Sequence, residues 1–370
     1  MILGIDVSTY LEQQKITNQK YYKEGKEVDP FLIFKNNGVT HLRVRIWNDP
    51  YDENGNPYLG GTCDLDNVIN LYHTLKKYDF RYLIDFHYSD HWADPAKQTI
   101  PKAWQNHSFE ELQKDVYEYT KSSLIKLKEI GVPIDYIQCG NETTRGMLYP
   151  IAQLQGGEER KASFKRLCAF YKAGLKAMKE ILPEAETIIH LEQSYDIPIY
   201  EEYLAELQEN NVDFDILGSS YYPFWHHNFN EYFACQDMVR EKYHKKTMNV
   251  EHGYSWTLED YNIPGETEEK QMVINSINME EFITHMPYPP TKEGQAKFIK
   301  EFVKLAQEHK MEGIFYWEPI WVPGKGICWA SKEAQKYQHD VRSYTRNDWA
   351  NQCLYDYEAN ALPAVDEYKI

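Results

Sequence analysis

Glu142 and Glu251 each stand where a short apolar run gives way to a loop. The first closes Gln138-Cys139-Gly140-Asn141-Glu142 and the second closes Met248-Asn249-Val250-Glu251. Two facing carboxyl groups can split a glycosidic bond, one protonating the departing oxygen and the other acting as nucleophile or base. Glu142 is the candidate acid/base. To donate near neutral pH it must be kept protonated by burial or by a neighbouring negative charge. Glu251 is the candidate nucleophile. It must be ionised, and a retaining mechanism sets the two carboxyl groups roughly 5–5.5 Å apart. Asn141 would offer its amide to a sugar 2-hydroxyl, a contact that strengthens in the transition state. An Asn-Glu dipeptide alone is an ordinary loop pair. The strand before it, and a second carboxylate at another strand end, give it weight.

Other polar and aromatic residues gather at similar places. Arg45 lies in Leu42-Arg43-Val44-Arg45-Ile46-Trp47, where alternation puts Arg43 and Arg45 on one face. A buried Arg needs a carboxylate partner, and Arg45 is expected to orient Glu251 and keep it ionised, the alternative being a structural ion pair. His87 follows Ile84-Asp85-Phe86 and His190 follows Thr187-Ile188-Ile189. Both are strand-end histidines, able to bind sugar hydroxyls, tune the carboxylates or serve structure alone. Trp92, Trp225, Trp317 and Trp321 fall after apolar runs, with Tyr221 and Tyr222 nearby. Their rings suit the C–H faces of sugars, and Tyr222 is also a candidate donor to Glu251. His87, His91, His190, His226, His227 and His252 would supply metal ligands. A metal-dependent barrel hydrolase, however, usually carries an HxH pair on its first strand, which here reads Gly4-Ile5-Asp6-Val7-Ser8. No catalytic metal is expected.

The elements that must hold these groups are short apolar runs at 2–7, 41–46, 81–86, 134–139, 186–191, 214–219, 247–251 and 313–317. Amphipathic helical patterns lie between them, among them Leu65 to Lys77, Phe109 to Ile130 and Phe164 to Leu182, with Pro133 and Pro183 as breakers. Eight strand–helix repeats predict an α/β fold, the (β/α)₈ TIM barrel, whose catalytic groups collect at the C-terminal ends of the strands. Residues 1–370 read as one catalytic barrel domain, without a linker or a fixed-period repeat. Loops are long after strands two, three, seven and eight. The last two run from about 252 to 290 and from about 318 to 355, and loops of that length in a compact domain are usually functional.

Bulk composition narrows the partners. Lys plus Arg total 40 against 57 Asp plus Glu, a net charge of −17, which disfavours nucleic acid and anionic membranes. No apolar run is long enough to span a bilayer. Aromatic residues make up 15%, including 30 Tyr and 9 Trp, which fits either a large core or a sugar groove. The cysteines at 63, 139, 168, 235, 328 and 353 form no CxxC pair, and Cys139 is expected as a buried thiol. A start at a native Met1 implies a cytoplasmic protein; a removed signal peptide implies a secreted one. A monomer acting on a polysaccharide or oligosaccharide is expected.

Several strings occur together and in order: Gly4-Ile5-Asp6-Val7-Ser8, Leu42 to Pro50, His87-Tyr88-Ser89-Asp90-His91-Trp92-Ala93-Asp94-Pro95, Gly140-Asn141-Glu142, His190-Leu191, Ser220-Tyr221-Tyr222-Pro223-Phe224-Trp225, Val250-Glu251 and Tyr316-Trp317-Glu318-Pro319. From Gly4 to about Pro363 the chain resembles glycoside hydrolase family 53, the endo-β-1,4-galactanases of clan A. The resemblance implies a retaining endo-hydrolase of neutral β-1,4-galactan, as in type I arabinogalactan and pectin side chains, with Glu142 as acid/base and Glu251 as nucleophile. It implies substrate contacts from Arg45, His87, Asp90, Trp92, Asn141, His190, Glu192, Tyr222, Trp225 and Trp317. No cofactor is implied, beyond a structural calcium found in some bacterial members. Its oxygen ligands here would be Asp260, Asn262 and Glu266, where Pro264 interrupts the pattern and Asn347-Asp348-Trp349-Ala350 departs from the partner region. Two further departures bear on subsites: Tyr149 stands where the family tends to have Trp, and Glu192 where Asp is common. The rival readings are a clan A β-mannanase or β-glucanase, and a non-catalytic glycan-binding barrel.

Overall fold

The computed structural model describes residues 1–263, 272–273, 283–338 and 346–370. Eight parallel strands close into a barrel: β1 (Ile2–Asp6), β2 (Val39–Ile46), β3 (Arg81–Phe86), β4 (Ile134–Cys139), β5 (Glu186–Leu191), β6 (Ile216–Tyr221), β7 (Lys246–His252) and β8 (Gly313–Trp317). They are hydrogen-bonded in the order β1-β8-β7-β6-β5-β4-β3-β2 and back to β1. Every run expected as a strand is one. Most are buried along nearly their whole length, as parallel strands between a barrel interior and an outer helical layer must be, and β4 is half-buried only at Asp135 and Tyr136.

The helices include α1 (Tyr10–Thr17), α2 (Pro30–Asn36), α3 (Leu65–Leu75), α4 (Phe109–Ile130), α5 (Glu159–Ile181), α6 (Ile197–Glu209), α7 (Phe229–Tyr243) and α8 (Lys292–Glu308). Helix α3 turns Val68, Ile69, Leu71 and Leu75 inward. A capping box of Ser108 and Glu111 starts α4, and left-handed Gly131 ends it. Helix α5 begins five residues before the expected Phe164, because its first turn is polar and carries no apolar signal. No helix among the described residues is long and apolar enough to cross a membrane. All six cysteines are buried free thiols.

The barrel interior is filled in two storeys. The lower one is apolar, with Leu83, Ile188, Ile216, Met248, Val250 and Phe315 in contact. Gly4 makes room for it, since a Cβ there would lie 2.2 Å from the Phe315 ring. The upper storey is charged, and Asp6, Arg43, Arg45, Asp85, Gln138 and Glu318 meet inside it. One irregularity matters for the site. Along β6 and β7, Ser219 pairs with Asn249 and Ser220 with Glu251, so Val250 is skipped. Met248 and Val250 both face the interior, and strict alternation would send Glu251 outward to the helices. The bulge turns it inward.

Candidate active site

A cleft of about 410 Å³ opens at the C-terminal rim. Glu142 and Glu251 both line it, as do Arg45, His87, Trp92, Asn141, Glu192, Tyr222, Trp225 and Trp317. The two carboxyl groups arrive by different routes. After β4, Gly140 (φ 82°) and Glu142 (φ 47°) both adopt left-handed backbone, which swings the Glu142 side chain over the barrel mouth. Glu251 is delivered by the bulge in β7. It is 5% exposed, and burial pushes its carboxyl up to about 7 against the pull of Arg43. Arg43 lies 2.8 Å from Glu251 Oε1, and the Tyr222 hydroxyl donates to Oε2 at 3.1 Å.

Glu142 has no such cation among its principal neighbours. Burial, the Glu251 charge and Glu192 all hold it well above the usual carboxylate range, with Ser220 donating to Oε1 at 2.6 Å in partial opposition. Titration therefore separates the pair: Glu251 ionises first, and its charge helps to keep Glu142 protonated. One cleft then holds an anionic nucleophile and a neutral proton donor.

The expectation for Arg45 is corrected. Its partners are Asp6 Oδ1 at 3.1 Å and Glu318 Oε1 at 2.7 Å, while Arg43 takes the nucleophile. Both arginines face inward as alternation requires, but Arg43 also reaches Asp6, Asp85 and Asn141 Oδ1. Arg45 instead lies under the aromatic wall, its guanidinium 4.4 Å from the Trp92 ring centre.

His87 lines the cleft with both nitrogens engaged. Its Nδ1 accepts from Trp47 Nε1 and Ala93 N, each at 3.1 Å, which leaves Nε2–H to donate to Asp85 at 3.0 Å. Asn141 donates to Ala93 O at 2.9 Å and keeps a second amide hydrogen. His190 is fully buried beneath Glu142 and is not on the cleft wall. Asp90 is also corrected. It is turned away from the cleft, accepting from Asp49 N at 3.0 Å and Lys102 N at 2.7 Å, and so pins two rim loops together.

Seven Trp and Tyr side chains, Trp92, Tyr195, Tyr222, Trp225, Trp317, Trp329 and Trp349, form walls of the cleft. Trp92 stacks on Trp329 at 4.6 Å between ring centres, and Trp317 meets Trp349 edge-on at 5.0 Å. Trp225 is 41% exposed, a flat face open to solvent. Trp321 and Tyr221 do not reach the cleft. Trp321 packs behind Trp92 and Trp329, and Tyr221 faces Tyr232 and Phe302 in the helical layer. Tyr149 also sits off the cleft wall, donating to Pro95 O at 3.2 Å or Arg145 O at 3.1 Å. Glu192 is in place on the wall, with burial raising its carboxyl to about 7. Sequence reasoning missed Tyr195 and Trp329, which stand outside any recognisable string, Trp349, which was read only as part of a calcium-partner stretch, and Ser220, which lies inside a string but is an ordinary strand serine.

Asp260 and Asn262, two residues expected as calcium ligands, belong to the loop after β7, whereas Glu266 lies outside the described residues. Asp260 faces the Arg346 guanidinium at 3.7 Å, and Arg346 lies 4.1 Å from the Tyr261 ring centre. Among the described residues, Arg346 is thus the cation that faces the Asp260 carboxylate. Among them no three His, Cys, Asp or Glu side chains gather as metal ligands.

Comparison with known proteins agrees with this geometry. The chain is 34% identical over its whole length to an endo-β-1,4-galactanase of Bacillus subtilis, spanning 85% of that protein. It is 30% identical to an arabinogalactan endo-β-1,4-galactanase of Cellvibrio japonicus, over 88% of this chain and 84% of the other. Among solved structures, the GH53 catalytic domain of Ignisphaera aggregans superposes with a TM-score of 0.85 at 35% identity, covering 99% of this chain and 95% of that one. The sequence profile of glycosyl hydrolase family 53 matches residues 2–368. The chain belongs to glycosyl hydrolase family 53.

Proposed function

We propose that the protein is an endo-acting, retaining β-1,4-galactanase, with Glu251 as nucleophile and Glu142 as acid/base. The observation that carries this reading is the unequal pair in one cleft. Glu251 is held by Arg43 and Tyr222, and Glu142 is kept protonated by burial and by the Glu251 charge. The substrate class follows from family membership and from relatives that are named galactanases.

A galactan chain lies along the cleft with its sugar rings against the tryptophan faces. Glu251 attacks the anomeric carbon as the glycosidic bond breaks, and Glu142 gives its proton to the departing oxygen. The product of this step is a galactosyl ester of Glu251. Glu142, now a carboxylate, takes a proton from water, and that water cleaves the ester with net retention of configuration. Arg43 binds the nucleophile before and after the attack and keeps Asn141 Oδ1 engaged, so the Asn141 amide hydrogen is presented to the sugar. Glu192, which lines the same cleft as Glu142, accepts from a sugar hydroxyl in this reading.

The test is digestion of linear β-1,4-galactan by purified protein, with products sized over time. An early ladder of short oligosaccharides is the expected result. Release of only monomer or dimer from chain ends would make the enzyme exo-acting. Intact galactan, with mannan or glucan cleaved instead, would remove the substrate assignment.

A further inference from the structure

Ser220, the penultimate residue of β6, is fully buried and touches no candidate subsite of the cleft. Its hydroxyl nevertheless lies 2.6 Å from Glu142 Oε1 and 2.9 Å from His190 Nε2. A hydroxyl has a single hydrogen, so the two contacts constrain one another. The far side of the imidazole decides between them. The backbone N–H of Glu142 points at His190 Nδ1 from 3.4 Å, and the Gln138 amide nitrogen lies 3.1 Å away. A backbone N–H can only donate, so Nδ1 is an acceptor and the ring proton sits on Nε2. Asn141 Oδ1, also close to Nδ1 at 2.9 Å, already accepts from Arg43 at 2.8 Å, and the Gln138 amide, one hydrogen of which goes to Asp85 at 2.6 Å, has the other for Nδ1. Burial and the Arg43 charge hold the ring neutral, so it carries one proton. Nε2–H therefore donates to Ser220 Oγ, and the hydroxyl hydrogen is left to point at Glu142.

We infer that His190 and Ser220 are positioning residues that fix which oxygen of Glu142 carries the transferable proton. Oε1 is engaged as an acceptor throughout, so the acid proton resides on Oε2 in the first half of the reaction. Oε2 is also the oxygen that takes the proton from water in the second half. This inference rests on the acid/base role given to Glu142 above. No proton passes along the chain. It sets geometry, and at the same time it favours the carboxylate, because Ser220 donates to that form. The other titratable or charged groups facing Glu142 are Glu251 of β7, Glu192 of β5, Asp94 in the loop after β3, Tyr200 of α6, Tyr222 after β6 and Arg145 beyond β4, and the test variant leaves all of them unchanged.

The test is Ser220→Ala, with kcat and kcat/KM followed against pH on galactan and on two aryl β-galactobiosides. A phenyl leaving group needs protonation, whereas 2,4-dinitrophenyl does not. The expected kcat/KM loss is about ten- to hundredfold on galactan and the phenyl substrate and within about threefold on the dinitrophenyl substrate. The kcat on the dinitrophenyl substrate, limited by hydrolysis of the ester, falls as well because the base is misplaced. The alkaline limb of kcat/KM moves to higher pH, since the carboxylate has lost a donor. Equal losses on both aryl substrates would mark a merely structural role and overturn the inference. An alkaline limb that moves down or stays in place would overturn the assigned direction of the hydrogen bond. A wild-type enzyme that hydrolyses the aryl substrates but leaves galactan intact would instead overturn the substrate assignment, with the aryl pair still reporting on Ser220.

Discussion

Replacing Tyr222 by Phe isolates one contact to the nucleophile. The ring is 4% exposed and packed against Phe224 and Trp349, so the benzyl group stays in place when the hydroxyl is removed. What disappears is the 3.1 Å hydrogen bond to Glu251 Oε2. A hydrogen bond to a charged acceptor contributes about 1.5–3 kcal/mol, and one pKa unit corresponds to about 1.4 kcal/mol. The donor favours the carboxylate, so its loss raises the Glu251 pKa, by about one to two units. Glu251 must be ionised to attack, and its carboxyl sits at about 7 in the native site. The acid limb of kcat/KM on galactan therefore moves up by the same one to two units, and activity on that limb falls about ten- to hundredfold. The assay is initial reducing-end release over the full pH range in which the variant stays folded. An acid limb that does not move would refute the claim that this hydroxyl tunes the nucleophile. A uniform loss at every pH would reassign Tyr222 to holding the sugar.

Glu251→Gln keeps shape and removes charge, so turnover is lost while the circular-dichroism spectrum persists; near-normal activity would sink the nucleophile assignment. Gly4→Ala drives a methyl group into the Phe315 ring, where the gap is 2.2 Å. Overpacking of this kind costs about 1–3 kcal/mol, to be read as a lower Tm, and an unchanged Tm would contradict the packing of the lower storey. With Arg346 facing Asp260, a chelator is expected to leave Tm unchanged, and a fall in Tm would reveal a bound ion.

The barrel was legible because parallel strands buried on both faces must be written as apolar runs, and eight such runs are hard to mistake. Glu142 was legible for the same reason, standing beside Asn141 where one run stops. Alternation along β2 placed Arg43 and Arg45 on one face but gave no height. Register across the barrel, which a single strand does not encode, puts Arg43 beneath Glu251 and Arg45 beneath Trp92. Alternation was also misleading on β7, where only the bulge at Val250 lets Glu251 share the interior with Met248 and Val250. Asp90 resembled a site residue because its string marks the family, yet its partners are backbone groups of two other loops and the Lys102 ammonium. Trp329 and Trp349 reach the cleft through the folding of a long loop, and no local pattern announces that.

The left-handed backbone of Glu142 has an implication for efforts to make this protein more heat-resistant. For a residue other than glycine this conformation costs roughly 1–2 kcal/mol, and the half-buried carboxyl, crowded by Glu251 and Glu192, adds to the cost. Glycine or asparagine at 142 would relax both. A selection for thermal endurance that does not also demand turnover should therefore drift towards losing the acid, and libraries screened on solubility or melting alone will be enriched in dead enzyme. Glu318, also left-handed at the end of β8, is a different case, because its carboxylate pairs with buried Arg45 and its removal would leave that charge without this partner. Stabilising substitutions are better sought in the helical layer, away from the strand ends.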